Sequence, residues 1–333
     1  MKELRIAIVG ATGMVGRMFR TVLEERNIQA NYTLFASKRS AGNRVPFMGK
    51  DHIIEELNEE SFTGRGFDYA LFSAGGSTSE TYAPVAAQNG AIVIDNSSFW
   101  RMDTEVPLVV PEVNAEALDS IPKGIVANPN CSTIQAVLPL KALKPFGLKR
   151  VIYSTYQAVS GAGQRGYEDL EEGLLGKPPQ KFPYPIAGNC IPQIDVFLES
   201  GYTKEEQKMI EETQKILSLP DLKVTATCVR VPVYHGHSES INVELEKSFE
   251  MQEIMEAFRA MDGLVVEDDP ASLRYPMPLM AAGADTVYIG RIHRDVSTEN
   301  GVAFWCVADN IRKGAATNAV QILETLLQRR NER

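Results

Sequence analysis

Apolar and polar positions follow two different patterns along this chain, and the change between them divides it. In the first third, the runs LRIAIVG, YTLFASKRS, YALFSAGG and AIVIDNSS are nearly continuous in apolar residues, as strands buried on both faces are. The first run leads into MVGRMFRTVLEERN, whose apolar residues recur at helical spacing. Strand–helix alternation of this kind predicts an α/β domain with a doubly wound parallel sheet of the Rossmann type. From about Val151 the pattern becomes alternating. VIYSTYQAVSGAG, LKVTATCVRVPVYHGHSESINVELE and GADTVYIGRIHRD are expected as longer strands of a mixed or antiparallel sheet in a second α/β domain. Between them KEEQKMIEETQKILSL predicts a helix, charged on one side and carrying Met209, Ile210, Ile216 and Leu217 on the other. RKGAATNAVQILETLLQRR predicts a last helix that returns to the first domain, and the Pro-rich GKPPQKFPYP a rigid loop.

A length of 333 residues leaves room for about two such domains. Acidic residues outnumber basic ones 43 to 34, for a net charge of -9, which disfavours nucleic acid as a partner. An anionic substrate must then be held by a few local cations. Four cysteines without repeated spacing give neither a disulfide framework nor a zinc pattern. The N-terminus runs straight into a strand, and no apolar stretch reaches the roughly 18 residues of a membrane span. These features predict a soluble cytoplasmic protein with no signal peptide and no membrane partner.

GATGMVG, Gly10 to Gly16, lies between a predicted strand and a predicted helix, where a dinucleotide loop belongs. Gly10 allows the tight turn, and Gly13 lets the backbone approach a pyrophosphate on the helix N-terminus. An NAD site places an acid at the end of strand two to hold the ribose 2′-hydroxyl. Here that end reads Ser37-Lys38-Arg39-Ser40, which suits a 2′-phosphate and favours NADP. A short-chain reductase is excluded, because none of the 11 tyrosines has a lysine four residues on.

GIVANPNCSTIQAVLPLKAL predicts a strand, a turn and a helix, with Cys131 at the helix start. Backbone N–H groups there favour a thiolate and offer donors to an oxyanion on an attacked carbonyl. Cys228 and Cys306 read as small buried hydrophobes. Cys190, in AGNCIPQID, repeats the Asn-Cys pair but precedes Ile191-Pro192 instead of a helix. His52 and His293 lie in charged surface-like contexts. His235 and His237 flank Gly236 without a third metal ligand, so one of the two is expected as a catalytic histidine. Arg230 on the same segment offers a fork for a carboxylate.

Through GATGMVG, ASKRSAG, DNSSFWRMD, VVPEVN, ANPNCST, QAVSGAG, NCIPQID, EETQKIL, RVPVYHGHS and ADNIRKGAATNAVQI, the chain resembles the aspartate-β-semialdehyde dehydrogenase family over nearly its whole length. The resemblance implies NADPH-dependent reduction of L-aspartyl 4-phosphate to L-aspartate 4-semialdehyde. That step leads to lysine (through diaminopimelate), threonine and methionine. Cys131 is implied as the nucleophile that forms an acyl thioester, His237 as acid/base and Gln157 as the residue orienting the substrate. Arg230 is implied at the α-carboxylate, Glu212 on the amine side, and Arg101, Asn130 and Lys215 at the phosphate, with Arg101 reaching it from the first domain. Ser160, Gly161 and Gly163 are implied beside the nicotinamide, with Asn310 a further contact. Gly10, Thr12, Gly13, Met14, Val15, Ser37, Arg39, Ser40 and Ser73 complete the expected NADP site.

The implied domains are 1–129 with 311–333 for NADP, and 130–310 for catalysis and dimerisation, in a homodimer without metal. The sister reductase of N-acetylglutamyl phosphate is disfavoured by EETQKIL and RVPVYHGHS. A catalytically silent NADP-binding module is disfavoured by the intact set Cys131, Gln157, Arg230 and His237.

Charge-assisted hydrogen bonds from Arg39 to a 2′-phosphate would be stronger than neutral ones. Arg39→Ala should therefore weaken NADPH binding far more than NADH binding in a titration with each cofactor. Equal losses for both would remove Arg39 from the 2′-phosphate site.

Overall fold

The computed structural model describes residues 3–332, which fall into two compact units, 3–129 with 315–332, and Asn130–Gly314. The second crossing thus lies at Gly314–Ala315 instead of 310–311. The first unit carries the expected doubly wound parallel sheet. Its strands are β1 (Arg5–Val9), β2 (Asn31–Ala36), β5 (Glu55–Glu56), β6 (Tyr69–Phe72), β7 (Ile92–Asp95) and β8 (Ile125–Ala127), with an antiparallel hairpin of β3 (Arg44–Phe47) and β4 (Lys50–Ile53) between β2 and β5. The sheet order is β5-β2-β1-β6-β7-β8, and every pairing in it is parallel.

The chain leaves β1 through helix α1 (Met14–Glu25) toward β2, then passes β6 to the other side of β1. The topological switch point therefore lies between β1 and β6, where a ligand crevice forms outside the strand ends. Helices α2 (Gly76–Gln88) and α3 (Pro111–Asn114) follow β6 and β7. The C-terminal helix Asn318–Glu332 packs Val320, Ile322, Leu323 and Leu326 into one core with Phe19, Leu23, Leu34 and Ile94. Asn318 ties it down: its side-chain amide donates to Val109 O (2.9 Å) and Asn128 Oδ1 (2.7 Å). His52, expected at the surface, is buried against Phe47, because the unanticipated β3–β4 hairpin folds it inward.

The second unit holds a six-stranded mixed sheet of β9 (Leu148–Gln157), β10 (Lys223–Arg230), β11 (His237–Leu245), β12 (Leu264–Val266), β13 (Val287–Asp295) and β14 (Gly301–Ala308). Its order is β10-β9-β11-β14-β13-β12, parallel at both edges and antiparallel in the middle. The run expected as one long stretch is cut into β10 and β11 by the turn at Gly236 (φ +85°). Helices α4 (Cys131–Leu143), α5 (Gln164–Leu174), α6 (Lys204–Leu217), α7 (Met251–Arg259) and α8 (Pro278–Ala281) complete the unit, and α4 and α6 pack on the sheet. A capping box of Thr203 and Glu206 starts α6.

Gly16, inside α1, packs so closely that a Cβ there would stand 2.1 Å from the carbonyl oxygen of Gly10. Alanine would gain up to about 1 kcal/mol of helix propensity, but the backbone clash outweighs that gain. Gly16→Ala should lower stability by about 1–3 kcal/mol in urea unfolding. A midpoint equal to or above the parent's would contradict this packing.

Candidate active site

In the first unit, the loop Gly10–Gly16 sits at the switch point with the features a pyrophosphate needs. Gly10 has φ +81°, and a Cβ on it would meet Ser73 O at 2.3 Å. Gly13 is the N-cap of α1 and supplies no side-chain cap, so the first N–H groups at Met14 and Val15 point outward from the helix start. Thr12 Oγ1 reaches Ser40 Oγ (3.4 Å), which brings the end of β2 beside the loop. Ser37 and Arg39 are exposed there, and β2 ends without an acid. These residues fit a dinucleotide carrying a 2′-phosphate. Arg101, expected at the substrate phosphate, is buried in this unit and donates to Asn128 O (3.0 Å) and Asn96 O (3.1 Å).

In the second unit, Cys131 opens α4, and Asn130 is its N-cap. The Asn130 side chain accepts the N–H groups of Ser132 (2.9 Å) and Thr133 (3.3 Å). Those two donors are therefore occupied by the cap. Gly314 lies against the cysteine: a Cβ there would stand 3.0 Å from Cys131 Cβ. Cys228 and Cys306 are buried in the sheet, and Cys190 sits in an exposed turn.

Three adjacent strands end in a row of polar side chains. Arg230 ends β10, Gln157 ends β9 and His237 begins β11, and the registers Arg230↔Gln157 and Ser238↔Tyr156 set them side by side. All three are buried. His237 Nε2 is 3.2 Å from Cys131 Sγ, and His237 Nδ1 accepts the backbone N–H of Ala158 at 3.0 Å. The second contact decides the tautomer. A nitrogen that accepts an N–H carries no proton, so the proton of the neutral ring is on Nε2 and points at sulfur. Burial and then the charge of Arg230 push the imidazole down to about 3, against the pull of Glu205, so it is neutral near pH 7. The same residue steadies the arginine, since Arg230 Nη1 donates to Ala158 O at 2.6 Å.

Glu205, absent from the expected set, is the carboxylate of this cluster. It accepts from Asn130 Nδ2 (2.8 Å) and Gln157 Nε2 (3.1 Å), and Lys208 Nζ reaches its other oxygen at 3.2 Å. Burial opposes its ionisation, but Lys208, Asn130, Gln157 and Arg230 overcome it and hold the carboxyl at about 2. Glu212 plays a different part, accepting the backbone N–H of Asn130 at 2.6 Å. Lys215 is in the last turn of α6, about 10 Å along the axis from Lys208. Ser160 pairs with the Asn310 amide, whose oxygen also accepts Gly236 N–H (3.0 Å). Gly161 lies beside Arg230 and His237, and Gly163 follows with φ +77°. Among the described residues, no group of three or more acidic, cysteine or histidine side chains is placed to hold a metal.

The family model described as semialdehyde dehydrogenase, NAD binding domain, matches residues 5–121, and that of the semialdehyde dehydrogenase dimerisation domain matches 138–313. An aspartate-semialdehyde dehydrogenase of Aquifex aeolicus is 55% identical over 97% of this chain and 98% of its own. One of Bacillus subtilis is 48% identical over 98% of each chain. The crystal structure of aspartate semialdehyde dehydrogenase II complexed with ASA from Vibrio cholerae superposes with a TM-score of 0.94 at 43% identity, covering 98% of this chain and 99% of that one.

The tautomer can be read directly. With ¹⁵N-labelled histidine, His237 should appear as a neutral Nε2–H ring from about pH 5 to about pH 9, while an ordinary histidine titrates near 6.5. A cationic ring at pH 7, or a proton on Nδ1, would contradict the Ala158 contact.

Proposed function

The chain belongs to the aspartate-semialdehyde dehydrogenase family, oxidoreductases of amino-acid biosynthesis, and on that premise we propose that it converts L-aspartyl 4-phosphate to L-aspartate 4-semialdehyde through a thioester on Cys131. This is the NADPH-dependent step toward lysine, threonine and methionine. The observation that carries the proposal is the 3.2 Å approach of His237 Nε2 to Cys131 Sγ beside the buried fork of Arg230.

The Cys131 thiolate, stabilised by the start of α4 and by Nε2–H of His237, attacks the acyl carbon. Phosphate leaves, and the acyl group stays on Sγ. NADPH, which the Gly10–Gly16 loop and Arg39 would hold, would supply the hydride that reduces this thioester. The developing oxyanion takes its hydrogen bond from His237 Nε2–H, and the carbon–sulfur bond then breaks to release aldehyde and thiolate. His237 acts throughout as a neutral donor, because proton uptake at Nδ1 would set two N–H groups against each other at Ala158. This replaces the acid/base role expected for it.

Arg230 receives the α-carboxylate through parallel hydrogen bonds, and Gln157 orients the chain between them. Glu205 takes the amine side, the part expected of Glu212. Lys208 replaces Lys215 as the α6 cation for phosphate, since it is the one held at Glu205. The cofactor is NADP, held by the Gly10–Gly16 loop and Arg39. The protein works as a homodimer, joined through the sheet face opposite α4, where Tyr156 is exposed and Ser240, Asn242 and Trp305 line a cavity.

Mass spectrometry of enzyme mixed with acyl phosphate, without reduced cofactor, should place the acyl group on Cys131; an adduct on Cys190 would reverse the assignment. Arg230→Lys keeps the charge but loses the fork, and should cost about 2–4 kcal/mol in kcat/KM for the semialdehyde. Lys208→Ala should instead raise the KM for phosphate. If both substitutions raise the same KM equally, the two anion sites are not separate.

A further inference from the structure

The loop GKPPQKFPYP, 176–185, lies outside the machinery described above, yet one buried carboxylate fixes it. Asp169, in α5, is 5% exposed, and its oxygens accept the backbone N–H groups of Gln180, Lys181 and Phe182, each at 2.8 Å. Three N–H groups from consecutive residues on one carboxylate set the local path of the loop. Burial works against ionisation of Asp169, but these bonds hold its carboxyl below the usual range.

The path matters for Phe182. Its ring packs on the apolar cluster Val159, Leu170, Ile186 and Ile191, and its face carries the Arg230 guanidinium, 5.8 Å from the ring centre. Ile191 in turn exchanges two backbone hydrogen bonds with Arg230 (2.9 and 2.8 Å). Arg230 is thus held by Ile191 at its backbone, by Ala158 O at one guanidinium nitrogen and by Phe182 across its plane. The first two contacts leave rotation about the Nη1 hydrogen bond open. The ring face closes it.

We infer that Asp169 is a positioning residue for the substrate-carboxylate site: by pinning residues 180–182 it seats Phe182 under Arg230 and sets the plane of the guanidinium fork. This rests on the reading that Arg230 receives the substrate α-carboxylate. A fork matches a carboxylate only when both planes coincide, so a tilted guanidinium keeps its charge and loses one of two hydrogen bonds. The loss falls on binding of the carboxylate-bearing substrate and spares the phosphate and the thiolate.

The test runs the phosphate-dependent oxidation of the semialdehyde with phosphate and aldehyde varied separately. Asp169→Asn presents an NH2 group or a neutral oxygen to three N–H donors, and Phe182→Leu removes the ring while leaving the loop anchored. Each should raise the KM for semialdehyde about 5- to 30-fold, the scale of a desolvated cation–π contact, with the KM for phosphate and kcat changed less than about 3-fold. In an Arg230→Lys background neither should add a further rise, because a point charge has no plane to set. Additive losses in that background, or parallel losses in kcat and both KM values, would assign Asp169 a general structural role and overturn the inference. If Asp169→Asn does not fold, Phe182→Leu decides alone. If Arg230→Lys itself leaves the semialdehyde KM unchanged, the reading of Arg230 fails, and that outcome is distinct from failure of the positioning role.

Discussion

The backbone of one residue organises the second unit's polar centre. Ala158, buried just past the end of β9, gives its N–H to His237 Nδ1 and accepts Arg230 Nη1 on its carbonyl. The first bond fixes the imidazole tautomer and the second fixes one nitrogen of the fork. Because β9 lies between β10 and β11 in the sheet, the residue that follows its last strand position meets side chains from both neighbours. No sliding of one strand by a residue would preserve this, since such a slip turns every side chain to the other face. The register of the mixed sheet is thus the precondition for the chemistry, and Ala158 is where the two meet.

Two buried carboxyl groups beneath this row are pushed in opposite directions. Glu205 has a lysine, two amides and an arginine around it and stays ionised despite its burial. Glu239, two residues beyond His237 on β11, has neither oxygen hydrogen-bonded among the described residues; burial and then the charge of Glu205 push its carboxyl well up. Its surroundings favour the neutral acid. Opposed environments of this kind separate the roles of chemically identical groups. A second ionised carboxylate in the same layer would compete with Glu205 for the field of Arg230. The protein's net charge of -9 says nothing about this balance, which a handful of partners within hydrogen-bond distance decide.

The placing of Cys131 at a helix start was legible because Asn-Cys-Ser-Thr before an apolar run is a capping pattern with one natural reading. The doubly wound sheet was legible from its uninterrupted strands, and the mixed sheet from its alternation. Along α6 the family resemblance pointed to Glu212 and Lys215, while the polar cluster is built around Glu205 and Lys208. Glu205 and Lys208 share a spacing with Glu212 and Lys215, and the pairs are seven residues apart. Seven residues are nearly two full turns, so both pairs fall within about 20° of one face. Phase could not separate them; the Gln157 side chain, which donates to Glu205, does, and that contact spans 48 positions of sequence. The tautomer of His237 was out of reach for the same reason, since its partner is a backbone group 79 residues away.

Glycines at the centre follow from crowding and not only from turns. A Cβ at Gly161 would stand 2.8 Å from Arg230 Nη1 and 3.4 Å from His237 Nε2, and one at Gly314 would stand 3.0 Å from Cys131 Cβ. Neither position has the positive φ that Gly163 and Gly236 show, so backbone freedom does not explain them. Displacing the guanidinium at Gly161 would break the Ala158 carbonyl bond, and displacing the ring would break its N–H bond. The second shift frees the imidazole to turn. The side chain missing at Gly161 is therefore part of what holds the proton on Nε2: the small residue guards the geometry that Ala158 enforces, and the tautomer depends on both.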